Sequence, residues 1–203
     1  MFSFEDFQLR AKAKLLQTAA DDWDRSDDDL NDKARLIPQG IAASRAAVLV
    51  PLVLRTEPTV LLTRRHAGLA KHAGQIAFPG GRIDVGETAQ QAALREAEEE
   101  IGLAAKFISP LGYLANYLTV TNYLVTPVVA WVAEGFSLQL QREEVDAAFE
   151  VPLAFLMDTK NCQRQSRDWN GIARHFYAYQ FQDRHIWGAT AGMIRSLHET
   201  LYA

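Results

Sequence analysis

From Ala46 onward, short apolar runs alternate with amphipathic stretches. AAVLVPLVL (46–54) and TVLLTRR (59–65) are rich in leucine and β-branched residues and are separated by a turn-like Arg-Thr-Glu-Pro, so they predict two strands. A glycine-rich connection, KHAGQIAFPGGRIDVGE (71–87), leads into TAQQAALREAEEEIG (88–102). This last stretch predicts a helix. Thr88 with Gln91 three residues on gives a capping box, and Gly102 fits a left-handed end. On a helical wheel Ala93, Leu94, Ala97 and Ile101 share a core-facing arc, Glu96, Glu99 and Glu100 share another, and Arg95 and Glu98 point elsewhere. YLANYLTV (113–120) and LVTPVVAWV (124–132) predict two further strands, with Pro127 marking an edge or bulge. EEVDAAFEVPLAFLM (143–157) predicts a helix or helical turn broken at Pro152. HFYAYQF (175–181) and HIWG (185–188) predict strands, and ATAGMIRSLHETLYA (189–203) a closing amphipathic helix. At the other end, Phe4, Phe7, Ala11 and Leu15 predict a short helix within residues 1–20, followed by an acidic run from Asp21 to Lys33 expected to be a solvated loop without function.

Strands interleaved with helices, partly joined by hairpin-length links, predict an α/β fold with a mixed sheet between helical layers. No repeat or Pro/Gly/Ser-rich linker divides the chain, which predicts one domain over 35–203 with an N-terminal helix and acidic loop (1–34) as an appendage. The 203 residues are 48% hydrophobic, enough for one sizeable core, and carry a net charge of −4. Without a basic excess, the chain is not expected to grip nucleic acid. One cysteine, Cys162, excludes a disulfide framework and a cysteine-based zinc site, and its polar surroundings predict an exposed thiol. The longest apolar stretch, 46–54, contains Pro51 and falls short of the ~20 residues of a membrane span. Glu5 and Asp6 interrupt any signal-peptide pattern, so a soluble cytoplasmic protein is expected. P-loop, GxSxG and HExxH motifs are absent from the sequence.

Chemistry concentrates between Gly81 and Leu103. Carboxylates at i, i+3 and i+4 repel, by ~0.2–0.5 kcal/mol per pair on an exposed helix. The arc lacks lysines at i±4, and the helix is entered through Pro79-Gly80-Gly81, where backbone can approach a ligand closely. Hard divalent cations relieve such repulsion, can bridge a phosphate, and acidify a water, which implies water attacking a phosphoryl centre.

Gly81, Glu87 and then Arg95-Glu96-Ala97-Glu98-Glu99-Glu100-Ile101-Gly102-Leu103 resemble, at the right spacing, the signature of the Nudix hydrolases; Ala97 is small for its aliphatic slot but apolar. The resemblance implies an α/β/α sandwich and cleavage of a nucleoside diphosphate linked to another group. It further implies that Glu96, Glu99 and Glu100 ligate Mg²⁺ or Mn²⁺, with the Gly80 carbonyl as a further ligand, and that Glu87 pairs with Arg95. Gly81 and Gly102 are structural positions of the same signature. Catalytic roles fall to Glu99 and Glu100; the base is a box glutamate or an outside carboxylate, with Glu143 and Glu144 well placed and Glu144 the candidate taken forward.

Leu61–Arg65 through Gly74–Gly81 resembles the extra motif of the coenzyme A diphosphatase subgroup, as do shorter pieces at 126–129, 144–153 and 186–188. His66 stands where that subgroup has a small residue, and Ala70 where it has arginine. Arg64, Arg65, Lys71 and Arg82 keep the segment basic and are the candidate substrate-binding residues. The implied reaction converts coenzyme A or an acyl derivative to adenosine 3′,5′-bisphosphate and 4′-phosphopantetheine or its acyl form. The same chemistry on ADP-ribose, NADH or a dinucleoside polyphosphate is an alternative, and a non-catalytic nucleotide sensor is another. The expected partner is a small nucleotide, and the oligomeric state is open, a homodimer included. His66, His72, His175, His185 and His198 lack metal-ligand spacing, while Trp187 and Tyr177 are expected to fill core although either could stack an adenine.

Overall fold

The computed structural model describes residues 2–31, 42–70, 72–169 and 171–203. Helix α1 (Phe4–Lys14) opens the chain, with the Ser3 hydroxyl accepting from the Asp6 amide and Phe7 and Ala11 buried. The acidic run after it is not a solvated loop. It contains strand β1 (Trp23–Ser26) and buries Ser26, Asp28 and Asn31. Its polar groups meet built partners: Asn31 bonds both backbone groups of His175 (2.9 and 2.8 Å), and Arg174 meets Asp28 at 2.8 Å. Matched partners are what let polar side chains leave water.

Strands β2 (Ser44–Val53), β3 (Thr59–Arg65), β4 (Ile76–Ala77) and β5 (Gly80–Arg82) lead to helix α2 (Ala89–Ile101). Then come β6 (Ile108–Tyr113), β7 (Asn116–Leu118), β8 (Tyr123–Val132), β9 (Val145–Pro152), the short helix α3 (Leu153–Met157), β10 (Cys162–Trp169), β11 (Ile172–Phe181), β12 (Arg184–Trp187) and helix α4 (Ala189–Tyr202). The main sheet runs β1-β7-β8-β2-β3-β4, with β5 on β2, β6 on β8 and β9 on β3. Its β2–β8 and β1–β7 pairs are parallel and its other pairs antiparallel, so the sheet is mixed as expected. A second, antiparallel sheet, β10-β11-β12, is not hydrogen-bonded to it but packs into the same core through Tyr179 and Ile186.

Both faces of the main sheet are covered, and strand alternation sorts the core into two halves. Ala47, Leu49 and Val53 of β2, Leu61 of β3 and Val128, Ala130 and Val132 of β8 pack against Ala89, Ala93, Ala97 and Ile101 of α2. Val50 and Leu52 of β2, Val60 and Leu62 of β3, and Val125 and Val129 of β8 face the side holding Phe7 and Ala11 of α1 and Ile194, Leu197 and Leu201 of α4. The described N-terminal residues therefore share this core; the 34/35 boundary falls at residues 32–41, outside the described residues.

Three further expectations need correction. Residues 145–152 form a strand, not a helix, because β3 has an open edge and β9 pairs with it antiparallel from Thr59–Pro152 to Arg65–Val145; helix begins only past Pro152. Pro127 is interior to the sheet, flanked by β2 and by the β6/β7 side. Its carbonyl accepts from Leu114, so its missing N–H falls where the neighbour changes from β7 to β6, a gap that tolerates proline. Cys162 begins β10 and is partly buried against the core; burial pushes its thiol up, so it is not the exposed thiol expected. No helix among the described residues is long and apolar enough to cross a membrane.

Candidate active site

Helix α2 starts and stops where its capping chemistry dictates. Thr88 and Gln91 form the reciprocal capping box, and Gly102 takes φ 69° and ψ 20° at the C-terminal end. Ala92, Ala93, Ala97 and Ile101 bury one face, which fixes the rotation of the helix and aims Glu96, Glu99 and Glu100 toward the β5 side or solvent. Glu100 goes inward and is only 4% exposed. Its Oε2 accepts from the Gly80 amide at 3.2 Å, and its Oε1 lies 3.8 Å from Arg65 Nη1. Burial pushes the Glu100 carboxyl up to about 7 despite that amide and Arg65, and Glu96 and Glu144 add repulsion. Burial also raises Glu96, with Glu99 and Glu144 adding to it against the pull of Arg95. A side chain at Gly81 would meet the Glu96 carboxylate and force it to swing aside, so glycine there leaves the carboxylate its present position. Glu144, exposed in the turn before β9, is thus brought electrostatically to the same cluster, whereas nothing ties Glu143 to it.

Arg95 does not point away from the acidic arc. Its Nε and Nη2 grip the two Glu87 oxygens at 3.0 Å each, its Nη1 lies 2.9 Å from Glu96 and 3.0 Å from Glu99, and Nη2 also donates to the Arg82 carbonyl at 3.0 Å. A long side chain at i−4 of Glu99 can swing back along the helix, so the arc carries a cation after all. Arg95 holds Glu87 below the usual carboxylate range, with the Asp84 amide helping. The pairing of Glu87 with Arg95 that the resemblance implied is present in the geometry.

Among the described residues no three of His, Cys, Asp and Glu are gathered closely enough to hold a metal ion as they stand. The guanidinium between Glu96 and Glu99 is one reason. The donor chemistry nonetheless fits a hard dication: carboxylate oxygens, one of them held proton-avid by burial, packed directly against the Gly80–Gly81 backbone.

A cleft of about 770 Å³ opens against Gly80, Gly81 and Arg65, the residues that touch the cluster; Glu96, Glu99 and Glu100 do not themselves line it. Of the basic candidates Arg65 and Arg82 line this cleft. Arg65 Nε is buried without a hydrogen-bond partner. Arg82 donates to the Tyr123 hydroxyl at 2.9 Å. Arg64 is exposed and does not line the cleft, since alternation along β3 sends its side chain to the opposite face from Arg65. Lys71 lies outside the described residues. Other lining residues escaped sequence reasoning: Tyr123 and the turn before it, Asp27, and Met193. Trp187, expected to fill core, is at the cleft as well, whereas Tyr177 is not. An isolated aromatic residue in an apolar strand carries no signal that separates wall from core.

A model of the NUDIX domain matches residues 43–170. The chain belongs to the Nudix hydrolases. It is 42% identical over 154 residues to an uncharacterized Nudix hydrolase, NudL, of Yersinia pestis (strain Pestoides F), covering 75% of this chain and 77% of the relative. The NudL of Yersinia pseudotuberculosis (serotype O:3, strain YPIII) matches equally, at 42% over 154 residues, with the same coverage. A crystal structure of DR0079 from Deinococcus radiodurans shares the fold, with a TM-score of 0.51 at 13% identity over 82% of this chain and 88% of that one. As a Nudix hydrolase the protein is a pyrophosphohydrolase, of a family that acts on nucleoside diphosphate derivatives with divalent metal. In this Nudix hydrolase the matched span contains α2, Arg65, Arg82 and Glu144, whereas Asp27, Trp187 and Met193 fall outside it.

Proposed function

We propose that this Nudix hydrolase cleaves the pyrophosphate bond of coenzyme A or acyl-coenzyme A, releasing adenosine 3′,5′-bisphosphate and 4′-phosphopantetheine or its acyl form. For the hydrolytic chemistry the carrying observation is Glu100, a buried carboxyl that accepts from the Gly80 amide at 3.2 Å with Arg65 3.8 Å away, its pKa raised by burial with Glu96 and Glu144 adding repulsion. Glu96, Glu99 and Glu100 would hold Mg²⁺ or Mn²⁺, with the Gly80 carbonyl as a further ligand. A dication there would supply charge neutralisation for the diphosphate and acidity for an attacking water. The protein's own groups do the rest. Arg65 and Arg82, both at the cleft, bind phosphate oxygens, Gly80 and Gly81 line the path of the diphosphate, and Glu144 receives the proton of the water.

The coenzyme A assignment rests on the motif at 61–81 and is supported by a cleft that mixes Arg65 and Arg82 with Ile76, Phe78, Val125, Trp187 and Met193, chemistry suited to a polyanion with a planar base and a slender arm of amides and short alkyl segments. Two departures, His66 and Ala70, favour a second reading, the same hydrolysis of ADP-ribose, NADH or a dinucleoside polyphosphate. Action in the cytoplasm is part of the proposal, in keeping with a single free cysteine. The test is incubation with Mg²⁺ and a panel of coenzyme A, acetyl-coenzyme A, ADP-ribose, NADH and diadenosine polyphosphates, with products weighed by mass spectrometry. Bisphosphate release from coenzyme A is the expected result. Turnover of ADP-ribose alone overturns the substrate, and no turnover at all favours a sensor.

A further inference from the structure

One wall of the cleft is the turn between β7 and β8, residues 119–123. The turn is braced internally: the Asn122 amide donates to the Thr119 carbonyl at 3.0 Å, the Thr119 and Thr121 hydroxyls meet at 3.0 Å, and Asn122 itself sits at φ 61°. The turn is tied to the body of the protein on two sides: the Ser44 amide donates to the Asn122 carbonyl at 3.0 Å and the Asn122 side chain donates to the Ala42 carbonyl at 3.3 Å, while its Val120 side is held by Asp27, from the acidic N-terminal run. Asp27 Oδ2 accepts the Val120 amide at 2.9 Å, Oδ1 accepts the Tyr117 hydroxyl at 3.0 Å, and the Asp27 amide donates to the Leu118 carbonyl at 3.0 Å. Asn31 fixes Asp27 from behind through the Asp27 carbonyl, at 3.0 Å. Asp27 also lines the cleft, and a smaller polar cavity of about 170 Å³ beyond it.

Each oxygen of this carboxylate thus takes a neutral donor, and burial raises its pKa. That is the profile of a clamp rather than of a surface charge. What the clamp holds has a use on the far side of the turn, where Tyr123 takes hydrogen bonds from Arg82 Nη2 at 2.9 Å and Nε at 3.3 Å. A fixed hydroxyl confines a guanidinium that would otherwise sample many rotamers, and so lowers the entropy lost when it meets an anion.

We propose that Asp27 is a positioning residue for substrate binding, pinning the 119–122 turn so that Tyr123 holds Arg82 at the cleft for a phosphate of the substrate. This rests on the reading of Arg82 as a phosphate contact given above. It means that substrate binding depends on a segment preceding the family-matched span, which begins at residue 43.

The test compares full-length wild type with Asp27→Ala, Asp27→Asn, Tyr117→Phe and Tyr123→Phe. It reads kcat and KM on coenzyme A, or on whichever panel member the wild type hydrolyses, together with calorimetric affinity for adenosine 3′,5′-bisphosphate. For Asp27→Ala the expected result is a rise of about tenfold in KM and in Kd with kcat within about twofold, the mark of lost uniform binding. Asn can still accept from the Val120 amide and is expected to recover most of the loss. Tyr123→Phe is expected to reproduce the KM effect with Asp27 intact, and Tyr117→Phe about a third of it. Unchanged KM and Kd in Asp27→Ala overturn the proposal. So does a fall in kcat at constant KM. Should Asp27→Ala not fold, wild-type KM in both tyrosine variants overturns it equally. A wild type that hydrolyses no panel member and does not bind the bisphosphate overturns the functional reading and this inference together, whereas wild-type turnover with unaffected variants overturns this inference alone.

Discussion

Two acidic stretches, Glu96–Glu100 and Asp21–Asn31, look alike as strings of carboxylates, and each buries one of its acids: Glu100 is 4% exposed and Asp28 8%. They differ in what those acids meet. In the N-terminal stretch Asp27 takes a hydroxyl and an amide, Asp28 faces Arg174, and Asn31 is saturated by His175. In the helix the acids face one another, with Glu96 and Glu144 pressing on Glu100 and a single guanidinium shared between Glu96 and Glu99. Partner-matched acids stiffen a wall. Acids left to repel beside an open cleft are poised for chemistry.

Mutations on the two sides should separate rate from stability. The largest effect is expected from Glu99→Gln or Glu100→Gln, about a thousandfold loss of kcat with the fold retained by circular dichroism. A near-normal rate in both would break the contrast and move the site elsewhere. On the other side, Arg174→Met removes the cation facing Asp28 and is expected to lower the unfolding free energy by about 3 kcal/mol in urea titrations, with kcat within about twofold. An unchanged midpoint would mean the N-terminal stretch is not braced as described.

Acidity sharpens the same contrast. A carboxyl raised to about 7 in the folded state binds its proton more tightly than the unfolded chain does. In metal-free protein its stabilising contribution is therefore complete below the ordinary glutamate range and is lost as pH rises toward about 7, by up to about 3 kcal/mol. Urea titrations in chelator across that range should show the decline in wild type and a flatter curve in Glu100→Gln. Equal curves would remove Glu100 as its source.

Much of this was legible in the chain because the signals were local. Thr88, Gln91 and Gly102 bound α2 within a residue, and the runs at 46–54 and 59–65 became β2 and β3. The glutamate arc followed from spacing and the Glu87–Arg95 pair from the family signature alone, whereas the reach of Arg95 to Glu96 and Glu99 depends on a rotamer that no wheel displays. What escaped was non-local. Residues 145–152 alternate weakly and became a strand because β3 offered an edge. Asp27 gains its role from Tyr117 and Val120, some ninety positions away. Arg64 and Arg65 are neighbours in a basic run, yet only one faces the cleft, a distinction made by strand register alone.

The grip of Arg95 on three glutamates and a carbonyl also bears on how the protein holds together. The polypeptide brings its own counter-ion, so crowding of like charge along α2 is relieved from within the same helix. The three nitrogens divide the work: Nη1 serves Glu96 and Glu99, whereas Nε and Nη2 fasten Glu87 and the Arg82 carbonyl, so a change at Nη1 alone leaves the loop latched to the helix.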